Sequence, residues 1–211
     1  MIVDDHPMMR EGLAQLLDHE SDLQACGQAD SAGQALNAVN AAAPDLVLLD
    51  ISLPDRNGLE LIKDLHTLHP HLPILVVSMH DEAIYAERVL RAGGRGYIMK
   101  QEGGRKLMQA VRQVLSGQVY VSEKMSARIL EMFSGRRAES EQSPVERLSD
   151  REFEVFQLVG QGEGTRQIAQ RLRLSVKTVE VHRANIRKKL ELASGTEVVR
   201  YAIRWSEAQK S

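Results

Sequence analysis

Three aspartates follow two short apolar runs, and together they could hold a divalent cation. Asp4 and Asp5 come directly after Ile2-Val3, and Asp50 follows the apolar residues 46–49. If both runs are parallel strands of one buried sheet, their carboxyl ends bring the three carboxylates into a single crevice. Clustered carboxylates suit Mg²⁺, which takes oxygen ligands and keeps several waters. The pattern therefore predicts a site for magnesium-assisted phosphorylation.

An alternation of strands and helices in the first half would position these carboxylates. Short apolar segments predict strands over residues 1–3, 23–29, 46–50, 74–78 and 96–99. Amphipathic segments predict helices over residues 8–18, 32–42, 58–68, 83–91 and 105–115, and Ser31 with Gln34 predicts a capping box for the second of these. Five such repeats predict an α/β fold with a doubly wound, five-stranded parallel sheet.

The last third of the chain predicts a small all-α domain of four helices. Ser149 with Glu152 forms a capping-box pattern before a helix over 150–159, and Thr165 could cap the next helix, over 166–172. A three-residue turn then leads to a helix over 176–190, and a last helix begins after Ser194 and runs to about residue 205. The tight turn predicts a helix-turn-helix, with 176–190 as the recognition helix. Before this domain, an additional helix is expected over 123–133 and a flexible linker over 135–147.

Composition and charge narrow the classes of function. The 211 residues suit two modest domains, and no stretch approaches the ~20 apolar residues of a membrane span. Since no signal-like leader opens the chain, we expect a cytoplasmic protein without a membrane partner. Cys26, the single cysteine, excludes an internal disulfide and is expected in the core of the second strand. The net charge is −6 over residues 1–145 and +4 over 146–211, so the basic second part suggests a polyanionic partner.

Periodicity separates two faces of the predicted recognition helix. One stripe should pack on neighbouring helices and consists of Val176, Val179, His182, Ile186 and Leu190. On the opposite face, an apolar Val181 among polar residues would suit a thymine methyl group, although a single exposed valine is also common. Basic residues flank this face and would contact phosphates, namely Arg183, Arg187 and Lys189. The candidate DNA-contacting residues are Lys177, Thr178, Glu180, Val181, Arg183, Ala184, Arg187 and Lys188.

Taken together, these motifs resemble a two-component response regulator of the NarL/FixJ class, in which a receiver domain precedes a LuxR-type helix-turn-helix. The receiver resemblance rests on Asp4-Asp5, Asp50, Ser78 and Lys100, together with residues 50–54 and 92–100. The DNA-binding resemblance rests on residues 148–152, 168–169 and 176–190. It implies a receiver over 1–118, an extension over 119–134, a linker over 135–147 and a DNA-binding domain over 148–211.

The resemblance also assigns roles to the residues of the crevice. It implies that Asp50 is the phosphoacceptor and that Asp5 ligates Mg²⁺ directly, with Asp4 nearby and the backbone carbonyl of Ser52 completing the protein ligands. Lys100 would pair with the phosphoryl oxygens.

Two further residues would respond to the modification. The Ser78 hydroxyl would move to hydrogen-bond the new phosphoryl group, and Tyr97 would follow it inward as an aromatic switch.

The resemblance implies a regulator and not an enzyme. A sensor histidine kinase, or a small phosphodonor, would phosphorylate Asp50, and phosphorylation would favour a homodimer. Two recognition helices would then bind paired half-sites in double-stranded DNA, which gives more specificity than one helix alone. RNA polymerase is a further possible partner.

Two other classes of protein stay open at this point. A metal-dependent phosphohydrolase could also use an aspartyl nucleophile after an apolar strand, but such enzymes resemble a pattern with a second aspartate where this chain has Ser52. The second class is a regulator whose receiver is not phosphorylated and is controlled by a ligand or partner. The first strand is shorter than the resemblance implies, and this keeps the second class open.

Glu180 also departs from the pattern of the resemblance, because many relatives carry a basic or polar residue there. A carboxylate at that position could accept from cytosine N4 while repelling phosphates.

Overall fold

In the computed structural model, which describes residues 1–133, 144–172 and 174–208, the chain divides into two units, Met1–Phe133 and Ser134–Ser211. The first unit contains a five-stranded sheet in the order β2-β1-β3-β4-β5, and all its strand pairs are parallel. The strands are β1 (Ile2–Val3), β2 (Gln28–Ala29), β3 (Val47–Leu49), β4 (Ile74–Ser78) and β5 (Gly96–Met99). The predicted doubly wound fold is confirmed.

Five helices cover the sheet, four of them between consecutive strands and the fifth after β5. They are α1 (Pro7–Asp18), α2 (Ala32–Ala42), α3 (Gly58–Leu68), α4 (Glu82–Ala92) and α5 (Gly104–Leu115). All five residues of β4 are buried, as expected for a central parallel strand with helices on both faces. On α5 the buried residues recur at helical spacing, namely Leu107, Met108, Ala110, Val111 and Val114. The sheet is thereby packed against helices, and its carboxyl edge is left to position side chains.

The second strand is shorter than the sequence predicts. Strand β2 lies at the edge of the sheet and pairs only with β1, in the register Ile2 with Gln28 and Val3 with Ala29. Residues 23–27 therefore do not belong to the strand, because the ladder that β1 offers begins at Ile2. Cys26 lies in this segment and is exposed, so its predicted place in the core is wrong.

The start of α2 is capped by a residue distant in sequence. Ser31 precedes the helix, but its side chain makes no capping hydrogen bond, so the predicted capping box is wrong. The Asp55 carboxylate instead accepts from the backbone N–H of Ala32 at 2.9 Å and of Gly33 at 3.0 Å. These two bonds oppose the effect of partial burial and hold the pKa of Asp55 below its usual value. The cap ties the loop after β3 to the start of α2.

An extension after α5 folds back onto the first unit. In this extension, residues 119–133, the Tyr120 N–H donates to the Arg95 carbonyl at 3.0 Å, and the Tyr97 N–H donates to the Tyr120 carbonyl at 2.8 Å. Tyr120 thus forms a parallel bridge with Gly96 on the free edge of β5. A Cβ at Gly96 would lie 2.8 Å from the Tyr120 carbonyl oxygen, so the close approach requires glycine. The extension ends in α6 (Glu123–Phe133), as predicted.

In the part of the second unit that the structure describes there are four α-helices: α7 (Asp150–Gly160), α8 (Thr165–Arg171), α9 (Val176–Lys189) and α10 (Gly195–Ala208). Their core is partly aromatic, since the Trp205 ring lies 5.5 Å from the rings of both Phe153 and Phe156. Ile168, Val179, Ile186 and Val198 are also buried. The predicted all-α domain with a helix-turn-helix order is therefore present.

Local signals in the second unit were accurate to different degrees. The Ser149–Glu152 capping box is present, with both reciprocal hydrogen bonds. Thr165 was expected to cap α8, but it is the first residue of that helix and Gly164 precedes it as the N-cap. Val176, predicted in the buried stripe of α9, is 41% exposed, so the stripe begins one turn later, at Val179.

Part of the predicted linker lies outside the described residues, namely 135–143. Its last four residues form a 3₁₀ helix, Pro144–Arg147, in which Val145 is buried. The regular structure of the second unit therefore begins four residues before the predicted domain boundary. Among the helices that the structure describes, none is long and apolar enough to cross a membrane.

We expect Asp55→Ala to lower the free energy of unfolding of the first unit by about 1 kcal/mol at pH 7, the usual effect of losing a helix cap. Because the folded pKa of Asp55 is lowered, its stabilisation is present above the unfolded pKa and is lost as the pH falls through the folded pKa. Urea unfolding at pH 7 and at a series of pH values below 3.8, the usual pKa of an aspartate, measures both effects. Asp45→Ala, at an exposed aspartate before β3, is the control; equal destabilisation of both variants would contradict the capping role.

Candidate functional site

The predicted site residues meet at the carboxyl edge of the sheet. Asp4 and Asp5 follow β1, Asp50 follows β3, Ser78 ends β4 and Lys100 follows β5. Because the strands are parallel, these positions share one edge, and the strand order places β1 beside β3. Ligand sites of doubly wound sheets lie at such an edge, next to the point where the strand order reverses.

A buried lysine joins two of the carboxylates. The Lys100 Nζ lies 2.6 Å from Asp4 Oδ2 and 2.7 Å from Asp50 Oδ2. The three side chains are at most 5% exposed. Burial disfavours the ammonium, but the charges and hydrogen bonds of Asp50 and Asp4 outweigh it and raise the pKa of Lys100. The crevice therefore holds a fixed positive charge against the carboxylate of Asp50.

The acidic cluster offers ligand atoms for a cation. One ligand atom each from Asp4, Asp5, His6 and Asp50 lies within 4.8 Å of the others. The Oδ1 atom of Asp5 is buried and accepts no hydrogen bond. It lies 2.7 Å from His6 Nδ1, which is close enough for an ion pair, but the two groups are not oriented for a hydrogen bond. Buried carboxylate oxygens that lack donors fit a hard divalent cation such as Mg²⁺.

The loop after β3 approaches the crevice closely. The Ser52 N–H lies 3.4 Å from Asp50 Oδ1, and its hydroxyl makes a 2.9 Å hydrogen bond with His80 Nε2. The Gly58 N–H donates to the Ile51 carbonyl at 2.8 Å. A Cβ at Gly58 would lie 2.7 Å from Ile51 Cα, so this turn requires glycine. Gly58 is a residue of the site that the sequence reasoning did not single out.

Ser78 and Tyr97 are both fully buried. Tyr97 was expected to move inward on phosphorylation, but it already lies inside the unmodified protein, where its hydroxyl donates to the His80 carbonyl at 2.8 Å. Burial raises the pKa of the Tyr97 phenol well above its usual value, and the hydrogen bond with Ser78 opposes this only in part. The phenol therefore stays protonated and can act as a donor.

His80 is a second residue that sequence reasoning missed. Its N–H lies 3.4 Å from the Ser78 hydroxyl, its ring bonds to Ser52, and the ring stacks on Tyr85 at 4.9 Å between centroids. Burial lowers the pKa of His80, and the charge of Lys100 adds to this while Asp50 opposes it. Its position two residues after Ser78, at the end of a predicted strand, was the signal in the sequence that could have identified it.

The second unit presents a polar, largely basic surface on α9. Thr178 and Arg183 are half-buried, whereas the other candidate DNA-contacting residues are exposed: Lys177, Glu180, Val181, Ala184, Arg187 and Lys188. Val181 is 52% exposed, as its proposed contact with a base requires. His182 is half-buried, which agrees with its predicted place on the packed side.

Two basic residues of α9 are engaged within the second unit. The Lys189 Nζ lies 2.6 Å from Glu152 Oε2 and thereby ties the end of α9 to the capping box of α7. The Arg183 guanidinium donates to the Thr165 hydroxyl at 3.2 Å. Lys189 was expected to flank the DNA-facing surface, but the contact with Glu152 gives it a structural role.

Comparisons with known proteins agree with both halves of this description. The family model "Response regulator receiver domain" matches residues 1–112, and "Bacterial regulatory proteins, luxR family" matches residues 146–202. The oxygen regulatory protein NreC of Staphylococcus haemolyticus is 35% identical to this chain over 208 residues. The alignment covers 97% of this chain and 96% of NreC. The values for NreC of Staphylococcus carnosus are the same. A solved structure of the Salmonella typhimurium RcsB response regulator is 25% identical, covers 96% of this chain and 95% of that chain, and has a TM-score of 0.73. The chain therefore belongs to the response regulators of the NarL/FixJ class, which join a receiver domain to a LuxR-type DNA-binding domain.

Proposed function

We propose that Asp50 accepts a phosphoryl group from a sensor histidine kinase and that this modification controls the binding of a homodimer to double-stranded DNA. The observation that carries the proposal is the pair of contacts from Lys100 Nζ to Asp4 and Asp50. They hold a permanent positive charge at the one carboxylate that ends the central strand β3, within a buried crevice. Electrostatic stabilisation of developing charge is strongest in such a water-poor site.

The proposed reaction is a transfer between two groups. An oxygen of the Asp50 carboxylate forms a bond to phosphorus while the N–P bond of the donor phosphohistidine breaks, and the leaving imidazole keeps the electron pair and takes up a proton. Lys100 stabilises the negative charge on the phosphoryl oxygens, because its raised pKa keeps it charged. The same crevice would accept a small phosphodonor such as acetyl phosphate.

The residues present fit the magnesium ion that receivers generally bind. Asp5 would be a direct ligand, together with Asp50 and the backbone carbonyl of Ser52, and Asp4 would act nearby. When bound, Mg²⁺ would neutralise negative charge on the transferred phosphoryl group. Ser78 and Tyr97 would respond to the modification. Because Tyr97 is already inward, the change at this residue would be in its hydrogen bonds and not in its burial.

The second unit would read DNA through α9. Exposed Lys177, Arg187 and Lys188 supply the positive charge that phosphate contacts need. The solved RcsB structure is described in terms of DNA interaction, which supports the same role here. Two recognition helices in a homodimer would bind paired half-sites, and RNA polymerase is a further possible partner.

We expect the full chain to take up a phosphoryl group from acetyl phosphate with Mg²⁺, and Asp50→Ala to take up none, because it lacks the acceptor oxygen. A phosphate-affinity gel separates the modified from the unmodified chain. Asp45→Asn, at an exposed aspartate outside the crevice, should be modified like the parent. Equal modification of Asp50→Ala would place the phosphoryl group elsewhere, and no modification of the folded parent would favour a receiver controlled by a ligand or partner.

We expect Asp5→Asn to weaken the binding of a divalent cation by roughly tenfold or more, since a carboxylate oxygen without a hydrogen-bond donor is lost from the cluster. Mn²⁺ can replace Mg²⁺ as the probe, because the electron paramagnetic resonance signal of free Mn²⁺ reports the bound fraction directly. Asp64→Asn, in α3, is the control and should leave the Mn²⁺ affinity unchanged. An unchanged affinity in Asp5→Asn would remove Asp5 from the proposed ligands.

Glu180 should determine one base of the DNA site. A carboxylate facing DNA repels phosphates, but it can also accept from a base, and cytosine N4 is a suitable donor. We expect Glu180→Ala to lose about 1–3 kcal/mol of preference for cytosine at one position while binding DNA more tightly overall. Selection from a random DNA pool, followed by affinity measurements with each base, tests this. Glu207→Gln, at an exposed acid of α10, is the control; an unchanged preference in Glu180→Ala would contradict base reading by Glu180.

A further inference from the structure

The extension, residues 119–133, is attached to the elements that surround the proposed phosphorylation site. Its Tyr120 pairs with β5 through the backbone of Tyr97 and Arg95. The side chain of Gln113 on α5 donates to the Val119 carbonyl at 2.7 Å. The helix of the extension, α6, packs against α4, and Met125 on α6 is buried. The extension is therefore part of the receiver unit and precedes the segment that leads to the DNA-binding domain.

One carboxylate joins the starts of α4 and α6. Glu82, the first residue of α4, accepts from the Ser122 N–H at 2.7 Å through its Oε1 atom. Ser122 is the N-cap of α6, because its hydroxyl accepts from the Met125 N–H at 3.1 Å and its carbonyl from the Ser126 N–H at 2.8 Å. A carboxylate at this end also complements the helix dipole. The orientation of α6 thus depends on where the first turn of α4 lies.

The same turn of α4 continues directly from the site. Ser78 ends β4, and three residues separate it from Glu82. Between them, His80 bonds to the Ser52 hydroxyl with its ring and accepts from the Tyr97 hydroxyl with its carbonyl. Asp81 then caps α4 by accepting from the Ala83 N–H at 2.8 Å. A displacement of Ser78 therefore reaches Glu82 through a short chain segment that side-chain bonds hold at several points.

We propose that Glu82 is a positioning residue that transmits the state of the Asp50 site to α6, and through the covalent chain to the DNA-binding domain. This inference rests on the proposed function, since the signal it transmits is phosphorylation of Asp50. Two of the first residues of the extension are held by residues that adjoin the site: Tyr120 by the backbone of Tyr97, and Ser122 by Glu82. Through the contact between Glu82 and Ser122, a movement of the loop after β4 displaces the start of α6.

The first measurement tests the contact without phosphorylation. In the unmodified full chain, Glu82→Ala removes the acceptor for Ser122, so backbone amides of residues 122–133 should exchange with deuterium at least several-fold faster than in the parent. Glu82→Gln retains an acceptor oxygen and should restore most of the protection. Glu87→Ala is the matched control, because Glu87 also lies on α4 and pairs with Arg91 of the same helix. Unchanged exchange in Glu82→Ala would overturn the contact as a restraint on α6.

The second measurement tests transmission. A DNA duplex selected from a random pool by the phosphorylated parent serves as the probe, and its affinity is measured by fluorescence anisotropy with and without acetyl phosphate and Mg²⁺. Glu82→Ala should take up phosphoryl groups at the parent's rate, whereas the affinity gain on phosphorylation should fall several-fold towards one. Glu82→Gln should be intermediate and Glu87→Ala like the parent.

The outcomes separate this inference from the proposed function. A parental affinity gain in Glu82→Ala would overturn transmission through Glu82 and leave the proposed function standing. Slower phosphoryl uptake in Glu82→Ala would also overturn it, because the residue would then act at the site itself. A parent that takes up no phosphoryl group would overturn both the proposed function and the transmission, whereas the exchange measurement would still decide the contact.

Discussion

The contact of one buried ammonium with two carboxylates is the constraint on which the first domain depends. Removing Lys100, Asp4 and Asp50 from water is costly, and the cost is offset only when the charges lie within hydrogen-bond distance of one another. The distances of 2.6 and 2.7 Å satisfy this condition. They require β1, β3 and β5 to end at the same level, as they do in the observed parallel sheet. The packing of the helices therefore serves to keep three strand ends in register.

The sheet and the charged members of the crevice could be predicted because their signals are local. An apolar run that ends in an acid or a lysine identifies both a strand and a residue at its carboxyl edge, as for Asp50 and Lys100. The length of β2 could not be predicted in the same way, since an edge strand extends only as far as its partner. Residues 23–27 are apolar enough for a strand, but the residues paired with β1 begin at Gln28, and Cys26 is exposed.

Contacts between loops could not be predicted from the sequence either. The Asp55 cap on α2 joins residues more than twenty positions apart, and the bond between Ser52 and His80 spans 28 positions. Neither follows from propensity, because each depends on how closely two loops approach after the sheet has formed. Propensity placed the cap of α2 at Ser31, whose side chain makes no such bond. In the second domain, where the capping box of α7 is local, the same reasoning was correct.

Strand β5 borders both the crevice and the extension, and it therefore links the two within the first domain. Its carboxyl end leads to Lys100, and its outer edge pairs with Tyr120, so a single strand borders both the charged site and the path to the second domain. The edge pairing needs glycine at position 96, whereas the next residue, Tyr97, turns its side chain into the site. Adjacent residues of a strand face opposite sides of the sheet, but their backbone bonds lie in its plane. The backbone of Tyr97 can therefore hold Tyr120 while its phenol bonds to His80, and the two functions do not compete for the same atoms.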